Sequence, residues 1–174
     1  MIDVAIDSGP LHGHRTGVGQ AVAGMLDALG DLPDLTLKPY VTSIRATLDP
    51  QERRLPIPAA AAHRIWARTT ALPMDRFLGN PDILHGTNYV VPPARCARVV
   101  SVYDCWFLRH PELASPDVDR AGAALRRAVA DGAHVVTSSE ATTTEVRRLL
   151  DTDLVTTVHL GPPPPIGDAP DPTP

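Results

Sequence analysis

Residues 2–30 read IDVAIDSGPLHGHRTGVGQAVAGMLDALG, and this stretch decides the fold class. A short apolar run over residues 2–6 precedes a glycine-containing loop. From 18 to 29 the apolar residues recur at helical spacing, and Gly30 is a typical helix stop. A buried strand, a loop and an amphipathic helix in this order are the first unit of a parallel α/β sheet.

The same alternation continues along the chain. Further short apolar runs predict strands over 35–41, 83–85, 99–103, 134–137 and 155–160, and helical spacing recurs over 59–72, 117–130 and 139–150. Residues 42–58 predict a loop with a short strand. We expect a doubly wound, mostly parallel sheet in a Rossmann-like three-layer sandwich over residues 1–161, followed by a Pro-rich linker or tail over 162–174.

Composition excludes several classes of protein. A chain of 174 residues is long enough for one domain with a core. A net charge of −4 and 4% aromatic residues argue against nucleic-acid binding. No apolar run is long enough to span a membrane, and the acidic start is unlike a signal peptide, so we predict a cytoplasmic protein for which peripheral membrane contact stays open.

The loop after the first strand is the first candidate site. It ends in Gly17-Val18-Gly19, where the predicted helix begins. Free N–H groups at a helix start suit an anion such as phosphate, although a plain flexible turn fits the spacing equally well. The next glycine is Gly24, so the loop is neither GxGxxG nor a P-loop.

Polar residues also follow the later strands. His85, Asn88 and Tyr89 follow one of them, and Tyr103, Asp104, Arg109 and His110 follow the next. Ser139 and Glu140 stand at a helix start, where a capping role is the simpler reading. Because the carboxyl ends of parallel strands share one sheet edge, we expect these clusters to lie along that edge.

Metal and redox chemistry have weak support in the sequence. His12 and His14 share a loop, but their spacing does not define a metal site, and we predict none. Cys96 and Cys105 lie in apolar or aromatic surroundings, where reduced packing thiols are expected.

The ordered motifs resemble the N-terminal domain of family 4 glycosyltransferases, one half of the GT-B fold, and most of all the mannosyltransferase-like members. The residues that carry the resemblance are 6–7 with 15–19, 82–89 with Pro92-Pro93, 102–104 with 107–112, 136–140, and 158–161. The resemblance implies sugar transfer with retention from a UDP- or GDP-sugar to an acceptor hydroxyl, without a further cofactor.

By the same resemblance, Gly17, Val18 and Gly19 would meet the donor phosphate and Asp104 would be catalytic. The acceptor cleft would include His85, Asn88, Tyr89, Tyr103, Arg109, His110, Ser139 and Glu140. The sequence departs from the family at Tyr103, where histidine is usual, and a Glu-x7-Glu donor domain does not follow Gly161 within this chain.

We therefore expect the acceptor side of a glycosyltransferase, inactive without its C-terminal donor domain. The alternatives are a stand-alone module that binds a small anion or sugar without catalysis, and a nucleotide-dependent oxidoreductase. The missing GxGxxG pattern weakens the second alternative.

Overall fold

A computed structural model describes residues 1–14 and 16–161. Its strands are β1 (Ile2–Asp7), β2 (Leu35–Thr42), β3 (Arg53–Leu55), β4 (Ile83–Gly86), β5 (Ala97–Val102), β6 (His134–Thr137) and β7 (Val155–Thr157). Its α-helices are α1 (Gly17–Gly30), α2 (Ala59–Trp66), α3 (Trp106–Arg109), α4 (Pro116–Ala130) and α5 (Glu140–Leu150).

The seven strands form one sheet in the order β3-β2-β1-β4-β5-β6-β7, with every pair parallel. From β1 the chain adds β2 and then β3 on one side of β1. After β3 it crosses back and adds β4 to β7 in turn on the other side of β1. Right-handed crossovers therefore place α1 on one face and α2, α4 and α5 on the other. The packing of α2 on α4 and of α4 on α5 agrees with this arrangement, and the predicted Rossmann-like α/β class is confirmed.

The core lies between the sheet and the helix layer of α2, α4 and α5. Its fully buried side chains include Leu84, Val100 and Leu125. Ser115 caps α4, accepting a hydrogen bond from the N–H of Val118, and Pro116 occupies the first helical position, where its missing N–H has no cost. Local chain signals thus account for where this helix begins.

Two of the predicted elements end several residues earlier than expected, and one expected strand is confirmed. The helix expected over 59–72 ends at Trp66, because the β-branched pair Thr69-Thr70 and Pro73 disfavour its continuation. The strand expected over 155–160 ends at Thr157, since its neighbour β6 ends at Thr137 and offers no further partner. The short strand allowed for in 42–58 is β3, and it extends the sheet edge beyond β2.

The predicted tail, residues 162–174, lies outside the described residues, so the boundary after 161 stays a prediction. None of the helices in the described ranges is long and apolar enough to cross a membrane. Cys96 and Cys105 are both free thiols, and Cys105 is buried, as expected for packing residues.

Candidate functional site

The carboxyl ends of the strands meet at one edge, and β1 and β4 mark the point where the winding reverses. In open parallel sheets such a switch point forms a crevice where ligands bind. Here the Thr87 hydroxyl, fully buried, donates a hydrogen bond of 2.7 Å to the backbone carbonyl of Asp7 and ties the two strand ends together.

Gly86 is required by the tight turn that follows β4. A Cβ atom at this position would stand 1.9 Å from the carbonyl oxygen of Val90, which no real side chain tolerates. The turn itself closes with a 2.8 Å bond from the Val90 N–H to the Asn88 carbonyl, around Tyr89 at a φ of +60°. A tyrosine in the left-handed region is unfavourable, so the surrounding contacts hold it there.

Those contacts join Tyr89 to Asp104 at the end of the neighbouring strand. The Tyr89 hydroxyl donates to Asp104 Oδ2 at 2.7 Å, and the N–H of Trp106 donates to Asp104 Oδ1 at 3.0 Å. The Tyr89 ring meets Phe107 edge-on, with centroids 5.1 Å apart. Burial and then the hydrogen bond to Asp104 raise the pKa of Tyr89. The exposed Asp104 carboxylate is therefore oriented from both sides, with lone pairs left for a hydroxyl.

The start of α1 leaves backbone donors available. Thr16 is the N-cap but its side chain makes no capping bond. The first intrahelical donor is Gln20, so the N–H groups of Gly17, Val18 and Gly19 have no intrahelical acceptor. Gly17 is exposed and Gly19 is buried. Within the described residues these N–H groups therefore have no hydrogen-bond acceptor, which is what the predicted phosphate loop requires.

A large groove lies on the α1 side of this edge, with a volume of about 1020 Å³. It brings together Gly17 at the start of α1, Tyr103 after β5, Ser138 after β6 and residues 158–161 after β7. The Tyr103 hydroxyl is buried without a hydrogen-bond partner in the described part of the chain, and burial raises the pKa of Tyr103. The groove is mostly apolar along α1, where Ala21, Met25 and Leu29 line it.

A second, smaller pocket of about 230 Å³ opens on the α2 side of the switch point. Its lining includes Asp7 from β1, Tyr40 from β2, His63 and Trp66 from α2, and Asn88. The Asp7 carboxyl accepts a 2.9 Å bond from the Gly9 N–H through Oδ1. Burial raises the pKa of Asp7 to about 6, and the Gly9 bond and His12 oppose that rise.

Glu52 forms a polar cluster beside this pocket. It accepts a hydrogen bond from the Ser8 hydroxyl, and its Oε1 lies 3.0 Å from His12 Nε2. Burial acts to raise the pKa of Glu52, but its bonds to Ser8, the Asp49 N–H and His12 outweigh burial and lower it. His12, which the sequence analysis considered as a metal ligand, is thus engaged with a carboxylate.

His85 does not face solvent at the edge. Its ring is only 8% exposed, and Nε2 lies 2.9 Å from the Ser101 hydroxyl oxygen. Burial lowers the pKa of His85 to about 4, so the ring is neutral at pH 7. It supports the strand ends, whereas its predicted place in the acceptor cleft stays untested.

Several predicted residues have structural partners. Arg109 pairs with Glu145 at 3.6 Å, and His110 lies 3.5 Å from Glu112. Ser139 caps α5 by accepting a 3.2 Å bond from the Thr142 N–H, which confirms the capping reading, and Glu140 occupies the exposed first turn. Their predicted contact with an acceptor stays a prediction.

For the aromatic pair Trp106 and Phe107 of α3, the sequence favours packing over stacking on a ligand. Phe107 is buried and lies against Gly122. Trp106 is 52% exposed, because one turn of helix directs neighbouring side chains to different sides. Its ring lies 5.7 Å from that of His110.

The sequence analysis missed Tyr40, His63 and Trp66 as pocket residues. They sit on two elements far apart in the chain, inside ordinary strand and helix patterns that give no signal of a site. Within residues 1–14 and 16–161, no group of three histidine, cysteine or carboxylate side chains could hold a metal ion.

The chain matches no protein-family model, and it matches no curated protein. The fold and the site therefore define an α/β protein with an open parallel sheet and two recesses at its carboxyl edge, and the family resemblance stays a prediction from the motifs.

Proposed function

We propose that residues 1–161 are the acceptor-side domain of a retaining glycosyltransferase of the family 4 type, which transfers a sugar from a UDP- or GDP-sugar to an acceptor hydroxyl. Transfer by such an enzyme also needs its donor-binding C-terminal domain. The observation that carries the proposal is that, among the described residues, the N–H groups at the start of α1 have no acceptor, and that Gly17 at this start lines the same groove as Tyr103.

The proposed roles follow from charge and position. A leaving nucleoside diphosphate needs hydrogen-bond donors in fixed positions, and the start of α1 offers three backbone N–H groups together with the positive end of the helix dipole. An acceptor hydroxyl needs an oriented acceptor atom. Asp104, held by Tyr89 and the Trp106 N–H, is such a group.

The test uses this chain supplied with a donor domain, either from the sequence that continues it or as a separate protein. Release of UDP or GDP from nucleotide sugars is measured with a panel of hydroxyl acceptors. Gly17→Trp fills the space over the free N–H groups and is expected to abolish release, because the diphosphate can no longer approach the helix start.

Gly30→Trp is the matched control. Gly30 ends the same helix, is exposed, and a Cβ there meets nothing, so release is expected to be unchanged. Asp104→Ala should lower turnover at least tenfold by releasing the acceptor. Full turnover by both Gly17→Trp and Asp104→Ala would contradict the assignment, and sugar binding without any transfer would instead favour a non-catalytic binding module.

A further inference from the structure

We infer that the pocket at the β1–β4 switch point binds a single neutral polyhydroxylated ring, such as a pyranose sugar, through Asp7, Tyr40 and Trp66. These residues lie outside the cleft that the motifs predicted. That this sugar is the acceptor rests on the function proposed above. That the pocket binds a sugar can be tested independently of that function.

The size of the pocket limits the ligand. Its volume of about 230 Å³ is below the 300–1,000 Å³ typical of sites for drug-sized molecules. A nucleotide or an oligosaccharide would not fit within it, whereas one six-membered ring suits it. Its position outside the ends of β1 and β4 is the position that open parallel sheets use for small ligands.

Asp7 and Tyr40 bring polar groups to the wall of the pocket. Asp7 Oδ1 is occupied by the Gly9 N–H, whereas Oδ2 accepts no bond in the described ranges. Tyr40 is 1% exposed and stands opposite Asp7 in the register of β2 on β1. The Asp7 carboxylate therefore keeps lone pairs to which a ligand hydroxyl can donate.

Trp66 supplies the other half of sugar recognition. The indole is 4% exposed and lines the pocket beside His63, whose ring centroid is 6.3 Å from it. An indole offers an apolar surface to the C–H groups of a sugar ring and one N–H donor to a hydroxyl. The exposed amide of Asn88 at the pocket wall adds a donor and an acceptor.

The charge of the pocket favours a neutral ligand. Asp7 is the carboxylate in its wall, and Glu52 lies close enough to Asp7 to influence its pKa. Among the described residues, His63 is the basic side chain in the wall, and burial lowers its pKa, which favours the neutral ring. A phosphorylated sugar would therefore be repelled.

The two tryptophans of the chain allow a direct assay. Trp106→Phe keeps the backbone N–H that orients Asp104 and leaves Trp66 as the sole indole. In this background, D-glucose, D-mannose and D-galactose are titrated against Trp66 emission at pH 7.5, without any nucleotide. We expect a saturable change for at least one of them with a Kd on the order of 1 mM, as befits a ligand of this size.

Two variants locate the site. Ala59 stands exposed at the pocket mouth, so Ala59→Leu should block the response, whereas Ala60→Leu on the next exposed residue, outside the lining, should keep it. Asp7→Asn keeps an acceptor for the Gly9 N–H and should weaken binding at least tenfold, because a charge-assisted bond is lost. D-glucose 6-phosphate should bind at least tenfold more weakly than D-glucose.

The inference is overturned if no sugar gives a saturable change, if Ala59→Leu and Ala60→Leu respond alike, or if the phosphorylated sugar binds better. Its failure differs from a failure of the proposed function. If the pocket binds a sugar but the completed enzyme transfers none, only the proposed function is refuted. If the completed enzyme transfers a sugar and Ala59→Leu leaves the rate unchanged, only the role of the pocket as acceptor site is refuted.

Discussion

Acidification should destabilise this protein through His85. The pKa of the buried ring is about 4, below its ordinary value of 6.5, so the unfolded chain binds more protons between these values. Stability is therefore complete above about pH 6.5 and is lost as the pH falls toward 4. At pH 5 the two pKa values correspond to a loss of about 2 kcal/mol relative to pH 7, an order-of-magnitude figure.

Urea unfolding at pH 7 and pH 5 measures this loss. The His85→Gln variant replaces the ring with an amide that can still bond the Ser101 hydroxyl, so most of the His85 contribution should disappear while all other titrations remain. The difference between wild type and variant should change by about 2 kcal/mol between the two pH values.

His134→Gln is the matched control. His134 also places Nε2 2.9 Å from a hydroxyl, that of Thr156, but its ring is partly exposed to water. Its replacement should leave the wild-type pH dependence nearly intact. If wild type and His85→Gln lose the same free energy of unfolding on acidification, the buried ring does not control acid stability and the reasoning is refuted.

Three further substitutions test other parts of the edge. Gly86→Ala should cost at least about 3 kcal/mol in urea unfolding, because the Cβ would overlap the Val90 carbonyl; Gly24→Ala, whose Cβ meets nothing, should not destabilise. Ser139→Ala should cost about 1 kcal/mol by removing the α5 cap, with an unchanged unfolding free energy contradicting the cap. Asp7→Asn should stabilise the protein above pH 6. Burial raises the pKa of Asp7 to about 6, so the wild type loses stability as the pH rises from about 4 to about 6. Equal pH profiles of stability for wild type and variant would refute this.

The prediction for Asp7 bears on function. A carboxyl group that weakens the fold when it ionises is more easily explained by ligand binding than by packing. The same substitution is expected to weaken sugar binding. If Asp7→Asn raises the stability of the fold and weakens sugar binding, the result supports a binding role for this carboxylate.

The elements of this protein were predictable because their signals are local. Short apolar runs and helical spacing of apolar residues show which side of a segment is buried. The strand over 134–137 and the cap at Ser139 could therefore be predicted residue by residue, and the strand predicted over 83–85 extends one residue further, to Gly86. Element ends were less certain: α2 stops at Trp66 and β7 at Thr157 because tertiary partners and β-branched residues, not the apolar pattern, set those limits.

The sequence also predicted that polar clusters would share one edge, since parallel strands end on the same side. It did not determine how those clusters divide. The strand order put β1 beside β4, and the opposite faces of α1 and α2 split the edge into a groove and a pocket. Gly17 and Tyr103 line the first, and Asp7 and Asn88 line the second.

The sequence by itself determined the layered α/β class and the sheet edge that the polar clusters share, because both follow from the alternation of buried strand and amphipathic helix. Only the tertiary structure decided the pocket of Asp7, Tyr40 and Trp66 and the bond from Tyr89 to Asp104. These contacts join separate elements, and a local pattern holds no information on which distant segments become neighbours when the sheet assembles.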